Sequence, residues 1–164
     1  MTAQTQWPRQ SQAELTKFFG PAGGAACTTG KVDLPFAFPL AWDNSQKLLK
    51  FSCHQLVEKP LERIYAAAVK HYGEKEFRRL RLDQFGGCYN YRPKRSSSSS
   101  LSTHAWGIAV DHDPERNQLK WGRDRALFAG SMYDAWWNIV ESEGAVSLGR
   151  VRNFDWMHFQ FARL

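Results

Sequence analysis

One stretch of the chain carries apolar residues at clear helical spacing. It lies between Pro60, which suits the first turn of a helix, and Gly73, which suits the position just after the last turn. The apolar positions are Leu61, Ile64, Tyr65, Ala68, Val69 and Tyr72. Because residues three and four apart share one face of a helix, this pattern predicts a helix with one buried side over 61–72.

Two weaker patterns predict further helices. Ser11 followed by Glu14 is a capping-box arrangement, and it predicts a short helix that ends near Phe19. Residues 131–143 predict a third helix, which Gly144 is placed to end. We expect residues 1–10 to form a loose terminus.

The remaining patterns are typical of extended chain. Residues 31–43 carry two prolines among aromatic residues, which favours an extended segment over a helix. We interpret four short segments as strands: 77–82, 85–91, 106–111 and 156–161. The serine run at 96–100 predicts an exposed, mobile loop. The expected fold class is α+β, with a small antiparallel sheet flanked by helices, in a single domain over 1–164 whose residues 1–45 form an N-terminal extension packed on the body.

Length and composition exclude several classes of protein. The 164 residues suffice for one domain with a buried core. With 43% hydrophobic and 23% charged residues, the chain fits neither disordered nor fibrous proteins. No apolar run approaches the roughly 18 residues of a membrane helix, so we expect no stable membrane association. The first residues lack an apolar core behind a positive cluster, so we expect synthesis in the cytoplasm without a secretory signal.

The charge balance favours polyanionic partners. Lysine and arginine number 22 against 16 acidic residues, which gives a net charge of +6. Nucleic acid, acidic membrane surfaces and bacterial wall polymers all fit that sign. No predicted helix concentrates basic residues on one face, and no nucleic-acid-binding motif is present, so we do not expect a nucleic-acid partner. We interpret the cluster of Arg92, Lys94 and Arg95 as a solvated face.

Cysteine spacing points away from a thiolate metal site. The three cysteines are Cys27, Cys53 and Cys88, and no C-x-x-C pair occurs. A cysteine-bound zinc ion or a redox pair is therefore not expected. The histidines offer a different donor set, because two of the segments that contain them also contain carboxylates, at 102–111 and 155–160.

These two segments contain a residue set that is typical of a catalytic zinc site. Two histidines and one aspartate, here His104, His158 and Asp111, are a common catalytic zinc set that leaves a fourth position for water. Hydrolysis also needs a carboxylate off the metal to take the proton of that water, and Asp155 is available. His112 follows Asp111 on a predicted strand, so it points to the opposite face and is not a ligand. The structural alternatives are a His104–Asp111 hydrogen bond without metal and an exposed Asp155–His158 pair on an edge strand.

The same residues resemble a known family. The string S-x-H-x-x-G-x-A-x-D is formed by Ser102, His104, Gly107, Ala109 and Asp111. It resembles the signature of the zinc D-alanyl-D-alanine carboxypeptidases and L-alanyl-D-glutamate endopeptidases. The family's second signature, an acidic residue three positions before a histidine, is matched by Asp155 and His158. The stretch GGCYNYR resembles the family's arginine-bearing strand. The order and separation of the three pieces agree, and the resemblance covers about residues 50–164.

The resemblance implies a role for each matched residue. The ligands of one zinc ion per chain would be His104, Asp111 and His158. Asp155 would be the general base that activates the metal-bound water, although many relatives have glutamate there. The shorter aspartate then requires a compensating backbone position or a second water. Arg92 would bind a substrate carboxylate or carbonyl oxygen and stabilise the tetrahedral intermediate. Ser102 and Gln160 would support the ligands or contact the substrate.

The resemblance also implies a function. Members of this family hydrolyse peptide bonds in the stems or cross-links of bacterial peptidoglycan, often as phage endolysins. We therefore expect a monomeric, endolysin-type L-alanyl-D-glutamate endopeptidase whose partner is peptidoglycan, and which reaches the cell wall by holin-type release. The nearest alternative is a D-alanyl-D-alanine carboxypeptidase or dipeptidase. An alternative from a different class is a catalytically silent, zinc-bearing cell-wall-binding module.

Overall fold

A six-stranded sheet forms the centre of the computed structural model, which describes residues 6–95 and 97–164. Its strands, numbered along the chain, are β1 (Gly30–Leu40), β2 (Asp43–Cys53), β3 (Phe85–Gly87), β6 (Ala109–His112), β7 (Val146–Ser147) and β8 (His158–Gln160). They lie in the order β2-β1-β3-β6-β8-β7, and every neighbouring pair is antiparallel except β1 and β3. A separate two-stranded ribbon pairs β4 (Pro93–Lys94) with β5 (Ser97–Leu101).

Helices flank this sheet, which confirms the expected α+β class. They are α1 (Gln12–Phe19), α2 (Ala26–Thr29), α3 (Glu58–Tyr72), α4 (Glu74–Arg79), α5 (Asp134–Ser142) and α6 (Leu148–Arg152). Among the described residues, no helix combines the length and the apolar character needed to cross a membrane.

The capping signals located two helices correctly. The Ser11 side chain accepts a hydrogen bond from the Glu14 amide at the start of α1. At the end of α3, Gly73 has a φ of 79° and donates its amide to Val69. The third predicted helix is shorter than expected, because residues 131–133 form a 3₁₀ turn before α5 begins at Asp134.

The strand predicted at 77–82 is wrong, because this segment contains the end of α4 and a turn. Its charges pair at helical spacing, with Arg78 bound to Glu74 and Arg79 bound to Glu76. Phe77 lies between these charged residues and is fully buried. Alternation of apolar and charged residues resembled a strand here, but the acidic residues of the preceding turn favour the helix.

The serine run also differs from its prediction. Residues 97–100 lie in β5 and are paired with β4, so the predicted loop is wrong there. Ser96 lies outside the described residues. A run of serines carries no alternation of apolar and polar side chains, and this strand is defined by backbone pairing and by the half-buried Leu101 at its end.

The beginning of the chain is tied to the rest of the fold. Residues 1–5 of the predicted loose terminus lie outside the described residues, but Trp7 and Pro8 are buried. Within the segment 1–45, which we expected to pack on the body as an extension, β1 supplies a strand of the central sheet. The 11-residue strand β2, which the sequence did not reveal, pairs with it and covers its outer edge.

The two faces of the sheet have different surroundings at β6. His112 points toward the helices, where its Nε2 lies 2.8 Å from the Tyr65 hydroxyl of α3 and its ring packs against Trp136 of α5. This placement confirms that His112 faces away from the neighbouring Asp111. Asp111 of β6 and His158 of β8 lie on the opposite face of the sheet, away from these helices.

Candidate metal centre

Three side chains that are far apart in the sequence meet on that face. The His104 Nε2 atom lies 3.2 Å from one Asp111 carboxylate oxygen, and the His158 Nδ1 atom lies 3.0 Å from the other. The three donor atoms lie within 4.8 Å of one another, and both histidines are buried. This His104–Asp111–His158 group could bind a metal ion, as the sequence predicted.

Strand register places two of these residues side by side. Asp111 and His158 are direct partners in the antiparallel pair β6–β8. Directly opposed residues of such a pair point to the same face, which brings the carboxylate and the imidazole together.

The third residue, His104, lies on a 3₁₀ turn just before β6. Ser102 caps this turn by accepting a hydrogen bond from the His104 amide. Gly107 ends the turn with a φ of 69°, and a Cβ atom there would collide with the carbonyl oxygen of Cys27. Only glycine meets both requirements, which explains the glycine between the two ligand positions.

Hydrogen bonds on the far side of each ring orient its inner nitrogen. The His104 Nδ1 atom lies 2.6 Å from the Cys88 carbonyl oxygen, and the His158 Nε2 atom lies 2.9 Å from the Gln160 Oε1 atom. Both partners are acceptors, so the outer nitrogen of each ring carries a proton. A neutral imidazole then has its lone pair on the inner nitrogen, where a cation can bind, whereas in the metal-free protein the His158 Nδ1 atom hydrogen-bonds to the Asp111 carboxylate over 3.0 Å. Two lone pairs and a carboxylate that converge in this way form a donor set for a divalent cation.

Electrostatics couple the three groups strongly. Burial acts to raise the pKa of Asp111, but hydrogen bonds and charge from His104 and His158 outweigh it and hold that pKa well below its usual range. Burial acts to lower the pKa of His158, yet contact with Asp111 raises it to about 9. The Asp111 carboxylate is therefore ionised, and it strongly favours a positive charge beside it.

Asp155 lies next to this group. Its Oδ2 atom is 4.0 Å from the His158 Nδ1 atom, and its Oδ1 atom is buried without a hydrogen-bond partner among the described residues. Burial, reinforced by the charge of Asp111, raises its pKa to about 6 even though His158 opposes the change. The backbone of Asp155 has a φ of 56°, a left-handed conformation that residues other than glycine rarely adopt.

A cavity of about 530 Å³ opens beside the four residues. Four cationic side chains line it, namely Arg92, Lys94, Arg95 and Arg152. Its apolar lining comes from Leu119, Leu148, Phe154, Met157 and Leu164. The only carboxylates among its described lining residues are Asp111 and Asp155. The cavity therefore combines a candidate metal centre, an apolar wall and a surplus of positive charge.

The cations of the cavity differ from those arginines of the molecule that form ion pairs with acidic side chains. Arg63, Arg78, Arg79, Arg81 and Arg150 each form an ion pair with an acidic side chain. In the described part of the chain, none of the four cavity cations does so, and the one hydrogen bond of the Arg92 side chain is to the carbonyl of the adjacent Pro93. Unpaired cations around a cavity are available to an anionic ligand.

The three predicted substrate-side residues all line the cavity, but their contacts differ. Arg92 extends from the segment before β4 and contacts none of the three candidate ligands. Ser102 and Gln160 hydrogen-bond to the two histidines, so they support the candidate ligands directly. The sequence predicted all three at the site, but it did not distinguish residues that support the ligands from a residue that faces the cavity alone.

Sequence reasoning missed several residues of the site. Lys94 and Arg95, which we interpreted as a solvated face, line the cavity, and so do Arg152 and Gln10. Arg152 precedes Asp155 by three positions, and that proximity was a usable signal. Nothing in the sequence around Gln10 indicated a place at the site, because only the tertiary fold brings this residue to the cavity.

Comparison of the chain with protein-family models, with curated proteins and with solved structures finds no match in any of the three. A functional interpretation therefore depends on the donor set, the neighbouring carboxylate and the lining of the cavity.

Proposed function

We propose that this protein is a zinc peptidase that hydrolyses peptide bonds in the stem peptides of bacterial peptidoglycan. The observation that carries the proposal is the convergence of His104, Asp111 and His158, with the partnerless carboxylate oxygen of Asp155 beside them. Two imidazoles and one carboxylate suit zinc better than they suit calcium or magnesium, which favour all-oxygen sites. The family resemblance of the same residues points to the same class of reaction.

Cys88 and Gln160 hold the outer N–H group of each histidine, so the inner nitrogens are the ones that would bind the ion together with Asp111. The ion would take the place of the proton that His158 holds against Asp111, because an imidazole must be neutral to bind a metal. When bound, zinc supplies Lewis-acid polarisation of a peptide carbonyl and lowers the pKa of water at its open position.

Asp155 is placed to move the proton. Its carboxylate lies beside the His158 Nδ1 atom and lines the cavity. One of its oxygens forms no hydrogen bond with any described residue. A general base must lie within hydrogen-bond reach of the proton it takes, and the same group can return that proton to the departing amine. Asp155 is therefore assigned to both transfers.

The cavity suits an acidic peptide. Arg92 offers a planar pair of N–H donors to a carboxylate or to the oxygen of the attacked carbonyl. The other unpaired cations and the apolar wall complement a stem peptide that carries both carboxylates and alanine methyl groups. Among such bonds we favour the L-alanyl-D-glutamate bond, cut in the manner of an endolysin, which the resemblance suggests.

The test is mass spectrometry of peptidoglycan digested by the purified, zinc-loaded chain. We expect internal cleavage of the stem peptide by the wild type and none by His158→Ala. The control is His71→Ala, a histidine at the end of α3 that does not line the cavity and should not affect cleavage. Cleavage that persists in His158→Ala would overturn the metal mechanism.

The same experiment separates the alternatives. Loss of a terminal D-alanine without internal cleavage would assign the chain as a D-alanyl-D-alanine carboxypeptidase or dipeptidase. Equimolar bound zinc with no change in any muropeptide would assign it as a silent, wall-binding module. If cleavage is found, killed bacterial cells should be cleared by the wild type and not by His158→Ala.

A further inference from the structure

Residues 7–10, which we call the clasp, are fastened to the end of the chain that follows β8. The Gln10 amide donates to the Arg163 carbonyl over 2.8 Å, and the Arg163 amide donates to the Pro8 carbonyl over 2.8 Å. Trp7 anchors the other end of the clasp, because its ring packs against Phe19 and Phe161 and its Nε1 donates to the Glu143 carbonyl. The clasp is thus held beside the segment that directly follows β8, the strand that carries His158.

The clasp reaches the candidate metal centre through one buried amide, that of Gln160. The Gln160 Nε2 atom donates to the Gln10 Oε1 atom over 3.0 Å and to the Ala162 carbonyl over 3.1 Å. Two acceptors on this side fix the orientation of the amide, because the reversed orientation would place its oxygen against both of them.

With its orientation fixed, Gln160 turns its Oε1 atom toward the metal centre. That atom accepts from the His158 Nε2 atom over 2.9 Å and from the Thr103 hydroxyl over 3.3 Å. Thr103 is adjacent to His104 in the 3₁₀ turn, so one amide contacts both segments that supply the histidines. Gln160 is only 2% exposed, so no bulk water competes for these bonds.

We infer that Gln10 is a positioning residue for the metal centre, acting through Gln160 on His158. By holding the amide of Gln160, Gln10 keeps the Nε2–H group of His158 bonded to Oε1 and the Nδ1 atom directed at Asp111. Gln10 itself binds no metal. The inference depends on the zinc-binding part of the proposed function and not on peptide hydrolysis.

The affinity of the metal-free protein for zinc tests this inference, measured by competition with a chromophoric chelator. Loss of a group that orients a metal ligand lowers metal affinity by about 10- to 100-fold. For Gln10→Leu, which removes the acceptor at similar size, we expect the lower end, about tenfold. Gln10→Glu retains an acceptor oxygen and should restore most of the affinity. The matched control is Gln12→Leu, the same substitution at an exposed position of α1, which should bind zinc as the wild type does.

The outcomes distinguish this inference from the proposed function. Equal zinc affinity in the wild type and Gln10→Leu would overturn the positioning role, whether or not the wild type hydrolyses peptides. Weakening by Gln10→Glu as large as that by Gln10→Leu would also overturn it, because any disturbance of the clasp would then suffice. A thermal unfolding scan of each variant shows that it is folded before zinc is added.

The coupling between zinc binding and docking of the clasp can also be measured from the side of the clasp. If the clasp strengthens zinc binding, then zinc must strengthen docking of the clasp by the same factor. We expect zinc to slow tryptic cleavage after the exposed Arg9 in the wild type and to have a smaller effect in Gln10→Leu. Cleavage after the exposed Lys47 of β2, a strand that does not line the cavity, should respond to zinc less than cleavage after Arg9 does. An equal effect of zinc at both sites would contradict the coupling.

Discussion

Asp155 differs from the other carboxylates of the molecule in its surroundings. Asp113 is fully buried but has both oxygens bound by Arg81. Asp155 is mostly buried and has one oxygen without a partner among the described residues. Both aspartates adopt a left-handed backbone conformation, so the oxygen without a partner is what distinguishes Asp155. Buried polar atoms without a partner and disfavoured backbone conformations are both concentrated at functional sites.

Replacement of this carboxylate tests its role without removing a ligand. Asp155→Asn has nearly the same shape but cannot take a proton, so we expect kcat on stem peptides to fall by about 10²- to 10⁴-fold. Zinc affinity should remain close to that of the wild type, because Asp155 is not one of the three candidate ligands. Steady-state kinetics and a zinc titration check the two parts. Loss of zinc binding together with activity would show that Asp155 is itself a ligand.

Arg152 tests whether the unpaired cations recognise substrate. It is exposed at the end of α6 and lines the cavity, so its interaction with a substrate carboxylate is screened by water. For Arg152→Gln we expect KM to rise by about two- to fivefold on an acidic stem peptide, with little change in kcat. Lys17→Gln is the control, since it removes one charge from α1 away from the cavity. An equal rise in KM in both variants would indicate a general effect of net charge.

At the scale of elements, the site depends on the order of the strands. The register of β6 against β8 places Asp111 opposite His158, and the 3₁₀ turn adds His104 from the side. The sequence predicted the strand 156–161 and the spacing of both motifs, and it assigned His112 to the opposite face. It could not give the register, because shifting β8 by two residues would keep every side chain on the same face of the sheet.

His54 joins two further elements and gives a pH-dependent prediction. Its Nδ1 accepts from the Leu56 amide at the start of the 3₁₀ turn 55–57, and its Nε2 lies 2.7 Å from the Phe19 carbonyl at the end of α1. Burial lowers the pKa of His54 from its ordinary value of 6.5, against the opposing effect of the Phe19 carbonyl. The unfolded chain therefore takes up a proton at a higher pH than the folded chain does.

Because the unfolded chain binds the proton first, lowering the pH destabilises the folded protein. The contribution of neutral His54 to stability is complete above a pH of about 6.5 and decreases as the pH falls below it. One proton can account for a slope of at most about 1.4 kcal/mol per pH unit. His54→Asn keeps an acceptor for the Leu56 amide and cannot titrate, so its free energy of unfolding should depend less steeply on pH between 5 and 6.5. Identical slopes in urea titrations of the two proteins would show that His54 does not contribute.

For the whole molecule, the candidate metal centre connects elements that are far apart in the chain. Its residues come from a turn, a central strand and the last strand, and the clasp adds a contact from the beginning of the described chain. A zinc ion bound there would hold these elements together in the folded state only. Binding to the folded state alone raises stability in proportion to the logarithm of the free zinc concentration.

Thermal unfolding measures this stabilisation. At a zinc concentration of about 100 times Kd, the gain is about 2.7 kcal/mol, which corresponds to an increase in Tm of roughly 5–10 °C for a chain of this size. A strong chelator should reverse the increase. His104→Ala should show no response to zinc, whereas His71→Ala should respond as the wild type does. A similar increase in His104→Ala would place the stabilising ion elsewhere.

The sequence by itself determined the helices α1, α3 and α5, whose apolar spacing and capping residues are local signals, and the identity of the four residues around the candidate metal centre. Tertiary structure alone decided the register that joins those residues, the convergence of Lys94, Arg95 and Arg152 on the cavity, and the link from Gln10 through Gln160 to His158. The physical reason is that helical periodicity and caps are interactions between residues close in sequence. Strand pairing, cavity lining and relayed hydrogen bonds join residues whose separation along the chain leaves no local pattern.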